Sequence, residues 1–145
     1  MANSLFSAYK QCLIGDAAGP GLTAPNWESG DIRAILVDHG VDTPVPNTDT
    51  NLAAITAGAR VAVSANLGTK TSVLSGNTLT QSAANTTFTA VTGASCESIL
   101  LYGHTGTDTT SLLLVFFDTG VTGLPVTPNG GDITIQWNGS GIWSW

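Results

Sequence analysis

Two histidines, a run of alternating Asn and Asp, a Gly-Gly loop and a scatter of carboxylates are the groups in this sequence with chemistry to offer. His39 lies in "VDHGVD" and His104 in "YGHTGTD", each at the end of an apolar run. Together in space with Asp38, Asp108 or Asp118 they would form a mixed nitrogen and oxygen metal site. The plainer use of each is a turn histidine bonded to nearby backbone. In "NTDTN", Asn47, Asp49 and Asn51 alternate as the first ligands of a calcium loop do. That loop also needs Gly at its sixth position and Glu at its twelfth, which here are Leu52 and Gly58, so the cluster reads as Asx turns between prolines.

Gly130 and Gly131, in "TGLPVTPNGGDITIQW", resemble a phosphate cradle only in composition. Cradle glycines open a helix and are followed by Lys, whereas these open an alternating strand and the last lysine of the chain is Lys70. Pro125 and Pro128 stiffen the approach, and Asn129-Gly130 supplies the positive φ of a tight turn. For a glycosidase-like carboxylate pair the candidates are Asp31, Asp38, Glu97, Asp118 and Asp132, most of them at strand ends, with no pair singled out. There is no Gly-x-Ser-x-Gly elbow for serine catalysis. Asn85 in "NTT" and Asn138 in "NGS" match the glycosylation pattern as a by-product of a Ser- and Thr-rich chain. The sequence therefore assigns no catalytic residue, no cofactor and no metal.

The elements that would position these groups belong to one domain of 145 residues, long enough to bury roughly two-thirds of its extended surface. Charged residues make up only 10% against the usual ~25%, and the net charge is -6. Lys10, Arg33, Arg60 and Lys70 are all the basic residues, too few to neutralise phosphates, which argues against nucleic acid and against an anionic membrane surface. No apolar run approaches the ~20 residues of a membrane span, and the N-terminus lacks the features of a secretory leader, so the expectation is a soluble protein made in the cytoplasm. Cys12 and Cys96 read as two small buried hydrophobes rather than a disulfide framework.

Only the start has a helical period. Leu5, Phe6, Tyr9 and Leu13 share one face of a predicted helix over 4–14, with Asn3 or Ser4 as its cap and Gly15 at its end. "GDAAGPGLTAPNW" then breaks the chain at Pro20 and Pro25. Residues 1–25 thus form an amphipathic helix and tether, and residues 26–145 a β domain. Strands are predicted in "DIRAILVD", "RVAVS", "KTSVLS" and "NTLTQ" (a hairpin around Ser75-Gly76-Asn77), "TTFTAVT", "CESILLY", "SLLLVFF" and "DITIQW". "LAAI" is either a helical turn or a short strand. The "CESILLY" and "SLLLVFF" runs are apolar on both faces, as in strands buried within a sheet. With turn signals every eight to twelve residues or so, the fold expected is mainly β, a single antiparallel sandwich or barrel with a short N-terminal helix.

Trp27, Trp137, Trp143 and Trp145 are a possible carbohydrate or partner platform. Trp137 continues the inward alternation of Ile133 and Ile135 and reads as core. "GIWSW" places two tryptophans where chains fray, so a docked final strand, or burial against a partner, is expected.

The runs "NWESGDIRAILVD", "AGARVAVSANLGTKT", "TFTAVTG", "ESILLYGHTGTDTTSLLLVFFDT" and "GLPVTPNGGDITIQW", from Asn26 to Trp137, resemble a family of small virion proteins of tailed bacteriophages, and "LFSAYKQCLIGD" fits its pattern. "SGIWSW" departs from the more basic tail of that family. The resemblance implies a non-enzymatic capsid decoration protein, located in the virion, that binds the major capsid protein and copies of itself, as a trimer, by burying apolar area at repeated contacts. Leu5, Phe6, Tyr9, Trp143 and Trp145 are then the candidate interface residues, with the N-terminal arm lying across a neighbour. The alternative is a tail or host-contact component with a glycan-binding β domain. A glycan hydrolase is the third reading, and the scattered acids give it little.

Overall fold

The computed structural model describes residues 3–19 and 21–144. In chain order it contains β1 (Ser4–Leu5), α1 (Ser7–Leu13), β2 (Ile32–Val37), β3 (Arg60–Val63), β4 (Thr71–Ser75) and β5 (Thr78–Ser82). There follow β6 (Thr86–Phe88), β7 (Ser98–Gly103), β8 (Leu113–Phe117), β9 (Ile133–Ile135) and β10 (Trp143–Ser144). The protein is mainly β with one short N-terminal helix. Its strands form three separate antiparallel sheets, ordered β1-β8-β7-β2-β3, β10-β5-β4 and β6-β9, and none of them closes on itself.

The apolar runs determine the arrangement. β7 and β8 are buried at every position, and β2 at all but Arg33. They lie side by side, with Ile35 opposite Leu100 and Leu100 opposite Phe116 on one face. Leu36 opposite Ile99, and Ile99 opposite Phe117, line the other. Directly opposed residues share a face, so each rung joins side chains of one apolar layer. The edges of this sheet are the short strand β1 and β3. On one face Phe117 meets Trp137 (ring centroids 5.9 Å), and on the other His39 stacks on Phe116 at 6.2 Å.

The N-terminal segment departs from its predicted form. Ser4 and Leu5 are a strand paired with Phe116 and Val115, and the helix begins only at Ser7. Phe6, with φ -63° and ψ 140°, occupies the cap position in an extended conformation. Asn3 does not cap the helix. Its Oδ1 accepts from the backbone N–H groups of Asp118 and Thr119 (both 3.1 Å), and its Nδ2 donates to the Thr119 carbonyl (2.9 Å). The edge of β8 offered Ser4 and Leu5 strand pairing, and that non-local bonding overrode the helical period. The helix ends where expected, with Gly15 at φ +88° donating to the Cys12 carbonyl.

The hairpin around Gly76 and the turn at Asn129-Gly130 form as the sequence requires. Gly76, at φ +61°, is the first central residue of a two-residue loop. The "LAAI" segment is a 3₁₀ turn, Leu52–Ala54. In the 122–131 loop, Asn129 Oδ1 accepts from Gly131 N–H (3.0 Å), and Gly130 and Val91 are linked by Gly130 N–H to Val91 O (2.8 Å) and Val91 N–H to Gly131 O (2.9 Å). Cys96 and Val126 exchange two further backbone bonds of 2.8 and 3.0 Å. The loop is clamped along its length to the 90–96 segment.

Phe116 has no exposed surface and is paired on both sides, by Ser4 and Leu100. Phe116→Ala should cost about 3–5 kcal/mol in urea unfolding with an unchanged m-value, because the surrounding core relaxes only partly into the cavity left by the fully buried ring.

Candidate functional site

The candidate interface residues do not form one exposed surface. Phe6 (0% exposed) and Tyr9 (3%) are in the protein's own core, and Leu5 and Trp143 are half-buried against it. Phe6 N–H donates to the Leu114 carbonyl (3.0 Å) and Ser7 N–H to the Pro46 carbonyl (2.9 Å). Within the described residues the arm packs on its own domain, with Phe6 and Tyr9 buried and Leu5 and Leu13 partly buried. Trp145 lies outside the described residues.

The tryptophans divide between structure and cleft. Trp27 is buried, and its Nε1 donates to both the Thr71 and Ser82 carbonyls (3.0 and 3.1 Å), which holds the open end of the β4–β5 hairpin. Trp143, on β10, makes edge contacts with Trp27 (4.5 Å between centroids) and Tyr9 (6.3 Å), while Ile142 beside it is buried. The C-terminal segment is thus docked as a strand on β5. Trp137 is only half-buried, because β9 ends at Ile135, and its Nε1 donates to Thr86 Oγ1 (3.1 Å).

The ionisable groups are dispersed. β2 and β7 run antiparallel with Ile32 opposite Gly103 and Val37 opposite Ser98. His39 and His104 therefore lie beyond opposite ends of that pair, whose own length is about 17 Å at 3.3–3.4 Å per residue. His39 Nε2 lies 2.7 Å from Ser98 Oγ, but Ser98 has no exposed surface and no reactant reaches it. No cluster of three or more His, Cys, Asp or Glu suited to a metal occurs among the described residues. Asn51 Oδ1 accepts from Ala53 N–H (3.1 Å) and Asp49 Oδ2 from Val45 N–H (2.6 Å), and Asn47 Oδ1 lies 3.5 Å from Ser7 Oγ. Most of the carboxylate candidates accept from backbone N–H groups: Asp38 from Gly40 within its own turn (2.7 Å), and Glu97 from His39 (2.9 Å) and Asp132 from Ala90 (2.9 Å) on distant segments. Asp31 instead pairs with Arg33 (2.8 Å), whose hydrogen bond holds its carboxyl below the usual range.

Two surface features escaped the sequence reading. The first is the outer half of the β4–β5 hairpin, where Val73 is 56% and Leu74 70% exposed. Adjacent strand residues point to opposite faces, so both faces of this ribbon meet solvent. The signal was present in "SVLSGN", where two large apolar residues stand side by side against a turn. The second is a cleft between α1, the 25–28 segment and the three-stranded sheet, whose walls include Tyr9, Asn26, Trp27, Glu28, Ser72 and Gln81. No helix among the described residues is long and apolar enough to cross a membrane. No family model matches the chain, and no curated protein matches it.

Cys12 and Cys96 are both free thiols. Burial, helped by nearby Glu97 and Asp38, pushes the Cys96 thiol up to about 11 from 9.0, and burial pushes the Tyr9 phenol up to about 12 from 10.0. Both groups keep their protons in the folded chain at pH values where the unfolded chain loses them. The stability they contribute is full below pH 9 and is lost as pH rises through about 11 and then 12. Denaturant melts across pH 7–12 should therefore show stability falling from about pH 9, and Cys96→Ala should move that onset to about pH 10, the free tyrosine value.

Proposed function

We propose that the protein is a non-enzymatic virion component, a capsid decoration protein that binds between shell subunits. The observation that supports this reading is the β4–β5 hairpin. From Thr71 to Ser82 it carries no charged residue, its tip exposes Val73 and Leu74, and β4 is the outer strand of its sheet. An uncharged apolar strand on an open edge invites pairing with other chains, and proteins that remain free usually blunt it with charge or proline. In a shell component the same strand is covered by a neighbour. The low overall charge and the clamped 122–131 loop fit this role, since a contact repeated over a shell needs a surface of fixed shape. In this reading the three sheets act together as one sandwich-like knob, copies associate as a trimer around a shell symmetry axis, and the major capsid protein is the partner. The chain is made in the host cytoplasm and ends in the virion.

The tail or host-contact role is the second reading, and the cleft beside Tyr9 and Gln81 is the observation that favours it.

Quantitative mass spectrometry of purified virions tests the proposal. A ratio to the major capsid protein near one, or near a simple fraction of it, supports shell decoration; a few copies per particle would move the protein to the tail, and absence would sink both roles. Leu74→Asp should weaken shell binding at least tenfold, because burying a leucine contributes about 1.5–3 kcal/mol at such a contact. The same variant should unfold within about 0.5 kcal/mol of the parent, since Leu74 adds little to the core.

A further inference from the structure

Two Asn-Gly pairs, Asn129-Gly130 and Asn138-Gly139, stand in exposed turns on either side of β9. Asparagine is a thermolabile residue, and a following glycine makes it most so, because no Cβ shields the backbone nitrogen that attacks the side-chain amide. The two pairs share one local geometry. Asn129 Oδ1 accepts from Gly131 N–H (3.0 Å) and Asn138 Oδ1 from Ser140 N–H (2.8 Å), the bond of an Asx turn. In each, that bond holds the side-chain amide beside the following peptide and draws electrons from its carbonyl, which prepares Cγ for attack.

They differ at the attacking atom. Gly130 N–H is spent on the Val91 carbonyl (2.8 Å), and the reciprocal bond from Val91 N–H to the Gly131 carbonyl (2.9 Å) pins the same turn. Attack by the Gly130 nitrogen therefore requires this clamp to open, which is rarer than motion of an unclamped turn. Gly139 N–H has no hydrogen-bond partner among the described residues. The 138–141 turn is anchored at its ends, by Trp137 N–H on Asn85 Oδ1 (3.3 Å) and Ile142 N–H on the Gln81 carbonyl (2.7 Å), and closed by Gly141 N–H on the Asn138 carbonyl (2.9 Å). A Cβ on Gly139 would meet no atom within 4 Å, so the space at its centre is open.

We propose that Asn138 is a self-modification site, converted to aspartate and isoaspartate in the folded chain, while Asn129 is protected by its clamp to Val91. The step needs only water. The Gly139 nitrogen gives its proton to solvent and bonds to Asn138 Cγ; the bond from Cγ to the amide nitrogen breaks, and ammonia leaves with a solvent proton. Water then adds across either carbonyl of the resulting succinimide and reopens the ring, with no change of oxidation state. Either product adds a negative charge, and isoaspartate also lengthens the main chain by one atom in the turn that leads into β10. The site does not depend on the shell-binding reading and is tested on the isolated protein.

The full chain is held in mildly alkaline buffer, folded and in parallel in guanidinium chloride. Peptides carrying each asparagine are followed by mass spectrometry, with isoaspartate separated from aspartate by chromatography. In the folded chain Asn138 should convert at least tenfold faster than Asn129, and in the denatured chain the two should convert at similar rates. Gly139→Ala, which fits the open space at an ordinary backbone angle, should fold as the parent does and slow conversion of Asn138 at least tenfold. The proposal is overturned if folded Asn129 keeps pace with Asn138, if Asn138 does not convert, or if Asn138 leads by the same margin in denaturant. It is also overturned if folded Gly139→Ala converts at Asn138 as fast as the parent.

Discussion

Strands β7 and β8 are apolar on both faces, and a strand of that kind must be enclosed before the chain can be stable in water. Their eleven residues are all buried, and their backbone groups pair with each other and with β2 and β1 on either side. The register between them fixes which side chains share a layer, so a slip of one residue would invert both faces at once. The other elements serve as cover. Trp137 is set against Phe117 on one face, and His39 is laid on Phe116 on the other. The N-terminal segment closes one edge, held by β1 and by the Asn3 side chain on the 118–119 turn.

With so much of the chain committed to this enclosure, the few polar side chains mostly stabilise the irregular segments. Arg60 is the clearest case. Its guanidinium donates to the carbonyls of Leu52 and Ile55 (both 2.7 Å) and pairs with Asp108 (2.7 Å), so one cation ties the 52–55 turn to the 108–110 turn. Asp38, Asp42, Asp49, Glu97 and Asp132 accept from backbone N–H groups. A carboxylate held in this way is an acceptor with a fixed structural duty. These carboxylates are dispersed because each fixes a different segment of backbone.

What remains for interaction is a surface of Thr, Ser, Asn and Gly with two unusual places on one hairpin. Its outer half presents apolar side chains to solvent on both faces, and its base backs a cleft of amide, hydroxyl and aromatic groups. The two are chemically distinct. The first offers apolar area, while the second offers polar groups beside aromatic rings. Trp27 links them, since its indole N–H holds the strand ends at the base while its ring forms part of the cleft wall.

Local pattern determined much of this protein. Alternation and apolar runs marked all the longer strands; glycine at positive φ marked the hairpin and the 130 turn; and the apolar "GIWSW" marked a docked end. Those features are legible because they depend on neighbours in sequence, through side-chain period and backbone sterics. The tertiary structure decided the rest. Ser4 and Leu5 became a strand because Phe116 and Val115 offered an edge more than a hundred positions away in sequence. Phe6 and Tyr9, apolar on a predicted helix face, are buried in the chain's own core, since a period shows that a face must be covered but not by what. The pairing of Gln81 with Trp143 joins β5 to a strand some sixty residues on. A single sequence has no term for such non-local registers, which depend on which edges remain unpaired once the core strands have assembled.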